Sequence, residues 1–248
     1  MAVEYAAFCD DFYVNMRLGT QMPLPTERGT LLSLFEQAQK AFPTMSRFRR
    51  TDGEHSIEEE RINNCYRWLS VETNRLASGH VNPLSMDEAM KLHRFVLELA
   101  PYQLGISPVE IDYLDVLFGF DLEYKGNHDE LITETLLADS PLAGLLEEPA
   151  ARVVDCQPSL TFALSDDCRL QARIDLVSRT NSYHVRTGDF PSEVISVYLF
   201  VRRFWGDRPK RPEPGMLDEL CDQCERLTQA YLLPRVIKPL QAAIASRS

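Results

Sequence analysis

The segment VISVYLFVRRFW, at residues 194–205, constrains the fold more than any other part of the chain. Successive side chains of a strand point to opposite faces of a sheet, and both alternating sets of this segment are largely apolar. Its β-branched and aromatic residues favour a strand over a buried helix, and Pro191 and Gly206 mark its two ends. The pattern therefore predicts a central strand with both faces covered.

The N-terminal half shows strand and helix patterns in the order β-α-β-β-α-β. Alternating apolar residues predict strands at 12–18, 45–51, 66–76 and 109–124. Apolar residues at helical spacing predict one helix after the first strand and another before the last, and Ser85 and Glu88 form a capping box at the start of the second helix. This order is that of a ferredoxin-like arrangement, with two helices on one face of an antiparallel sheet, so the expected fold class is α+β.

The C-terminal half is predicted to form an antiparallel sheet packed by a long helix. A hairpin over 160–176 and a short strand at 183–187 precede the central strand. An apolar stripe over 217–231 predicts the C-terminal helix, with kinks at Pro234 and Pro239. The expected division is a ferredoxin-like half at 1–126, a helical linker at 127–150 and the second half at 151–248, although the pattern also allows one continuous domain.

Composition limits the classes of partner. The 248-residue chain carries a formal net charge of −11, which disfavours nucleic acid because phosphate contacts need a basic surface. Local basic clusters at 47–50 and 202–211 are interpreted as solvated charges. No apolar run reaches the roughly 20 residues of a membrane helix, and the N-terminus lacks a secretory signal. We therefore expect a cytoplasmic protein with no membrane and no nucleic-acid partner.

The six cysteines are scattered along the chain and are expected to be reduced thiols. Cys221 and Cys224 form a C-x-x-C pattern. A redox motif would place this pair at a helix start beside a βαβ unit, and a zinc site would need a second pair of ligands. The sequence shows neither context, and both cysteines lie on the apolar stripe of the C-terminal helix. We interpret them as core residues and expect no metal and no cofactor.

The candidate ligand-binding residues are basic side chains. Arg173, Arg179, His184 and Arg186 belong to the strands predicted in the second half, where guanidinium groups could hold a carboxylate or a phosphate. The alternative is an exposed sheet face with cross-strand charge pairs. His80 is a further candidate because it stands between a strand end and a helix start. No motif identifies a catalytic residue, since nucleophile elbows, phosphate loops, dinucleotide fingerprints and metalloprotease signatures are absent from the sequence.

Two functional hypotheses are compatible with these observations. The first is a non-catalytic protein-binding or assembly protein with a protein partner or a homo-oligomeric state. The acidic charge, the lack of catalytic motifs and the antiparallel sheets, whose edges can pair with another chain, favour it. The second is an enzyme or a small-anion-binding sensor with a pocket between the two halves. We expect the first of the two.

Overall fold

The protein has a mixed α/β structure built on one open antiparallel sheet of nine strands, in the order β2-β3-β4-β5-β1-β6-β9-β8-β7. The structure is a computed structural model and describes residues 4–51, 53–62, 64–148, 150–206 and 211–247. The strands are β1 (Asp11–Thr20), β2 (Arg47–Thr51), β3 (Glu54–Glu58), β4 (Tyr66–Glu72), β5 (Arg75–Val81), β6 (Ile111–Lys125), β7 (Ser159–Ala163), β8 (Leu170–Val177) and β9 (Ser192–Phe204).

Helices connect these strands and follow the last of them. They are α1 (Arg28–Ala41), α2 (Met86–Gln103), α3 (His128–Leu136), α4 (Ser182–Thr187), α5 (Pro214–Leu227), a π-helical segment (Thr228–Ile237) and α6 (Lys238–Ala245). At the start of α2 the Ser85 hydroxyl accepts a hydrogen bond from the Glu88 backbone N–H, which is one of the two hydrogen bonds of the predicted capping box. None of the described helices is long and apolar enough to cross a membrane.

The predicted long C-terminal helix is confirmed, since α5, the π-helical segment and α6 follow one another without a break. Pro234 lies inside the π-helical segment, and Pro239 lies in the first turn of α6. A proline has no N–H to donate, and a first-turn position needs no internal partner for that group. The chain therefore places Pro239 in the first turn of α6, and it places Pro234 within the π-helical segment rather than in a regular α-helix.

One face of the sheet carries the core and is here called the covered face. His93 of α2 contacts the Val14 carbonyl oxygen, and the Cys224 thiol of α5 contacts the Val116 carbonyl oxygen, so both helices lie on this face. The apolar residues of the three central strands that have no exposed surface point toward them: Phe12, Val14, Met16, Leu18, Leu114, Val116, Phe118, Phe120, Ile195, Val197, Leu199 and Val201.

The opposite face, here called the open face, has no helix across its central strands in the described part of the chain. Tyr198, Phe200 and Arg202 of β9 point to it and are only half-buried. The prediction that both faces of the central strand would be covered is therefore wrong. Neighbouring side chains partly shield the aromatic side chains of this set. Apolar residues on such a partly shielded face produce the same alternation in the sequence as residues beneath a second packed layer, so the alternation does not distinguish the two.

Three further predictions about the strands are corrected. Four strands, not two, connect α1 to α2, because the segment predicted at 66–76 turns at 73–74 and residues 54–58, for which no strand is predicted, form β3. The segment predicted as a strand at 183–187 is α4. The Asn181 side chain caps α4 by accepting from the N–H groups of Tyr183 and His184. The strands of the second half form no separate sheet, since β9 pairs with β6 along its whole length.

The sheet contains an internal two-fold repeat that the sequence did not reveal. Apart from β2 and α4, which have no counterparts, the order β1, α1, β3, β4, β5, α2 recurs as β6, α3, β7, β8, β9, α5, and these two sets of strands are arranged symmetrically about the β1–β6 pair. Across that pair Tyr13 lies opposite Gly119, and Gly19 lies opposite Tyr113. Each tyrosine ring lies over the facing glycine, whose missing Cβ leaves the space it needs. The open-face residues of β1 and β6 are therefore structural counterparts.

Candidate functional site

A buried carboxylate stands at the centre of the open face. Asp115 on β6 is fully buried, and the Nε and Nη2 atoms of Arg202 on β9 lie 2.9 Å and 2.5 Å from its Oδ2 atom. The guanidinium carbon of Arg202 also lies 3.7 Å from the centre of the Tyr113 ring. Burial raises the pKa of Asp115, whereas the charges of Arg202 and Arg17 oppose that rise. The carboxylate thus fixes the Arg202 side chain against the sheet.

A recess beside this pair, here called the arginine recess, has a volume of about 360 Å³. Its lining includes Arg17, Arg173 and Arg202 together with the rings of Phe200 and Phe204. The three arginines come from β1, β8 and β9, so the recess collects residues from both ends of the chain. Planar guanidinium donors beside aromatic rings suit a carboxylate or phosphate attached to an apolar group.

The charges in the arginine recess are only partly neutralised. The Arg173 Nε atom lies 2.8 Å from an Asp175 carboxylate oxygen, and Arg202 is paired with Asp115. Arg17 forms no salt bridge with a described residue, and its guanidinium lies 5.1 Å from the centre of the Phe200 ring. The recess therefore has one more arginine than it has carboxylates, and Arg17 is the side chain most available to an anion.

The structure does not bring the sequence-predicted candidates together at one place. Arg173 lines the arginine recess. Arg179 lies toward the other end of the sheet, where its Nη2 atom donates to the Ser196 hydroxyl at 3.1 Å. His184 and Arg186 lie on α4, and both contact the Tyr183 ring. His80 is buried on the covered face, with a ring nitrogen 3.8 Å from the Cys65 sulfur.

Sequence reasoning did not identify Arg17 and Arg202 as binding candidates. Arg17 lies on the polar side of the first predicted strand, and Arg202 belongs to a basic cluster that was interpreted as solvated charge. Alternation places each residue on a face, but their proximity depends on the row Arg17–Asp115–Arg202 across β1, β6 and β9. Residues 207–210 of the same basic cluster lie outside the described residues.

The two cysteines of the C-x-x-C pattern are core residues, as predicted. Both are buried in the middle of α5, on the side that packs against the sheet. Burial raises the pKa of Cys221 to about 12 and that of Cys224 well above its usual value. Their thiols are therefore protonated at neutral pH. Among the described residues there is no group of three or more His, Cys, Asp and Glu side chains placed to hold a metal ion.

Comparison with known proteins gives no family for this chain. No protein-family model matches the sequence, and no curated protein is significantly similar to it.

Proposed function

We propose that this protein is a non-catalytic binding protein that holds a small ligand, bearing a carboxylate or a phosphate, in the arginine recess. The observation that carries the proposal is the convergence of Arg17, Arg173 and Arg202 around one recess with Phe200 and Phe204. A guanidinium offers a fixed fork of donors to either anion, and the two rings favour an apolar or aromatic part of the ligand. The net charge of −11 disfavours a long polyanion, which supports a small ligand rather than nucleic acid.

Binding of two aryl anions tests this proposal. Isothermal titration calorimetry with phenyl phosphate and with benzoate distinguishes the phosphate from the carboxylate. We expect saturable binding of at least one of them, and Arg17→Gln should weaken it by about tenfold or more because a charge-assisted hydrogen bond is lost. Arg173→Gln should weaken it less, since Asp175 already neutralises part of that charge.

The matched control for this experiment is Arg50→Gln. Arg50 lies on β2, an exposed strand at the far edge of the sheet, so this variant changes the net charge equally without touching the recess. Equal affinities in Arg17→Gln, Arg50→Gln and the unmodified protein would mean that the anions respond to overall charge, and the proposal would then fail.

A second proposal concerns assembly into a homo-oligomer through the β7 edge. β7 ends the sheet and contains no charged residue, and Leu160 on it is 62% exposed. No described backbone group bonds to its outer side. The opposite edge, β2, carries Arg47, Arg49 and Arg50, which repel a second copy of the same strand. This difference between the two edges supports antiparallel pairing of β7 with β7 of a second copy.

Mass in solution, measured by light scattering over a concentration series, tests the β7 pairing. We expect a dimer that Leu160→Lys dissociates, with at least about a tenfold rise in dissociation constant, because the pairing would bring like charges together. Leu84→Lys is the control, since Leu84 is an exposed leucine outside the strands. A monomer at every concentration, or equal weakening by both variants, would contradict the proposal.

We also propose a ferredoxin-like unit within the first half and a cytoplasmic location. The ferredoxin-like unit is supported by four neighbouring strands, β4, β5, β1 and β6, which have α1 and α2 between them in the chain. The hairpin β2–β3 would then be an extension of that unit. The six cysteines, all free, support a reducing compartment.

A further inference from the structure

A second recess on the open face has acidic and aromatic walls. It has a volume of about 250 Å³, and we call it the acidic recess. Its lining includes Asp11, Asp121, Asn15, Tyr13, Tyr66 and Trp68. It adjoins the arginine recess because Asn15 and Arg17 are successive open-face residues of β1. The two recesses therefore differ in charge although they share one strand.

The two carboxylates of the acidic recess have no ion-pair partner among the described residues. The Tyr13 hydroxyl donates to Asp121 at 3.2 Å, and the Asn82 side chain donates to Asp11 at 2.5 Å. These are neutral donors. Burial raises the pKa of Asp121 and the charge of Asp11 adds to that rise, whereas hydrogen bonds from Ser196 and Tyr13 and the charge of Arg179 oppose it. The lining holds two carboxylates and one arginine, Arg61, so negative charge is in excess in the recess.

A buried acceptor in the same recess also lacks a partner. Asn15 is only 9% exposed, and its Oδ1 atom has no hydrogen bond to any described residue. A buried carbonyl oxygen without a donor is costly, and such atoms are rare in folded proteins. A ligand with N–H donors in the recess would relieve that cost.

The internal repeat shows which chemistry fills the corresponding place in the second half. Asp115 and Tyr113 are the counterparts of Asn15 and Tyr13, and there the Arg202 guanidinium pairs with the carboxylate and stacks on the ring. In the first half the strand neighbour of Asn15 is Gly79, so no arginine enters from that position. The acidic recess therefore has the corresponding acceptor, Asn15, but no guanidinium at the position that Arg202 occupies in the second half.

A cationic side chain of the protein, Arg61, already stacks on the aromatic wall of the acidic recess. The Arg61 guanidinium lies 4.6 Å from the centre of the Tyr66 ring, at the exposed side of the recess. Aromatic faces attract cations through their quadrupole, and Arg61 is therefore an internal competitor for any cation that stacks on Tyr66.

We propose that the acidic recess binds a small organic cation, a primary ammonium or a guanidinium, in place of Arg61. Asp121 and Asp11 supply the opposing charge, the Asn15 Oδ1 atom accepts an N–H, and Tyr66 and Trp68 supply the rings. The site is separate from the arginine recess and does not depend on anion binding there.

Fluorescence of Trp68 reports this binding directly. The chain has two tryptophans, Trp68 and Trp205, so Trp205→Phe leaves the one in the recess. In that background we titrate n-butylguanidinium and n-butylammonium, with n-butanol as the neutral control. We expect a saturable change with at least one cation and none with n-butanol. Asp121→Asn should weaken the binding by about tenfold, and Arg61→Gln should strengthen it because the competing guanidinium is removed.

Three outcomes decide the proposal. An equal response to n-butanol, an unchanged dissociation constant in Asp121→Asn, or no binding of either cation would overturn it. Arg173→Gln changes the arginine recess and should leave cation binding in the acidic recess unchanged. The failure of the anion-binding proposal can therefore be distinguished from the failure of the cation-binding proposal. If Trp205→Phe does not fold, the indole N–H resonance of Trp68 in the unmodified protein, assigned with Trp68→Phe, gives the same readout.

Discussion

Arg202→Met is expected to lower the free energy of unfolding by about 3–5 kcal/mol, because it leaves the Asp115 carboxylate buried without its counter-charge. Asp115 has no exposed surface, and Arg202 supplies both of the short hydrogen bonds to its Oδ2 atom. Its Oδ1 atom has no hydrogen bond to any described residue, so Arg202 is the one described side chain that donates to this carboxylate. Urea unfolding at neutral pH measures the change.

The neighbouring arginine of the same strand is the matched control. Arg203 points to the covered side, and its pair with Glu219 at 3.2 Å is largely exposed. Arg203→Met should therefore cost about 1 kcal/mol or less. The double variant Arg202→Met with Asp115→Leu should recover much of the loss, since apolar pairs often replace buried ion pairs without penalty. A loss in Arg202→Met no larger than that in Arg203→Met would show that Asp115 is not held charged by Arg202.

Periodicity in the sequence was sufficient for long elements and insufficient for short ones. The alternation that predicts β9 and the stripe that predicts the C-terminal helix extend over many residues, and both elements are present. The β4–β5 hairpin was missed because its turn at Thr73 and Asn74 contains neither glycine nor proline, so the strand pattern runs through it. At 183–187 local capping by Asn181, and Gly188 at a φ of 73°, outweighed strand propensity.

The candidate site was harder to predict because it is made of cross-strand neighbours. Alternation shows that Arg17 and Arg202 point to a face, but it does not give the register that places Asp115 between them. The sequence-derived candidates are basic residues of the strands predicted in the second half together with His80 at a strand–helix junction, and of these only Arg173 lies in the arginine recess. Pairing between β1 and β6, which are far apart in sequence, is set by tertiary packing, which a single sequence does not show.

The second large effect concerns acid stability and a buried histidine. His93 on α2 has no exposed surface; its Nδ1 atom lies 2.7 Å from the Ser78 hydroxyl, and its Nε2 atom lies 3.2 Å from the Val14 carbonyl oxygen. A carbonyl only accepts, so Nε2 carries the proton and Nδ1 accepts from Ser78, which is the arrangement of a neutral ring. Burial, with a smaller effect from the charge of His80, lowers the pKa of His93 to about 3.

The sign of the pH effect follows from this lowered pKa. The unfolded chain binds a proton at His93 below its ordinary pKa of 6.5, whereas the folded protein does not until about pH 3. Stability from this residue is therefore complete above pH 6.5 and falls as the pH is lowered between these values, by about 1.4 kcal/mol for each unit. Between pH 6.5 and pH 4.5 the expected loss is about 2–3 kcal/mol.

His93→Gln isolates this contribution because it removes the titrating group and keeps a polar side chain. The variant should be less stable than the unmodified protein by about 1–3 kcal/mol at pH 7, since its buried hydrogen bonds are imperfect. The difference in free energy of unfolding between the two proteins should narrow as the pH falls to 4.5, because only the unmodified protein loses stability by keeping His93 neutral in the folded state. His80 and His128, whose pKa values are also lowered by burial, and the carboxyl groups titrate in both proteins and largely cancel in the difference. Urea unfolding of the two proteins from pH 7 to pH 4.5 measures that difference. A difference in free energy of unfolding that does not change with pH would mean that His93 takes up its proton in the folded state as well, which would contradict the prediction.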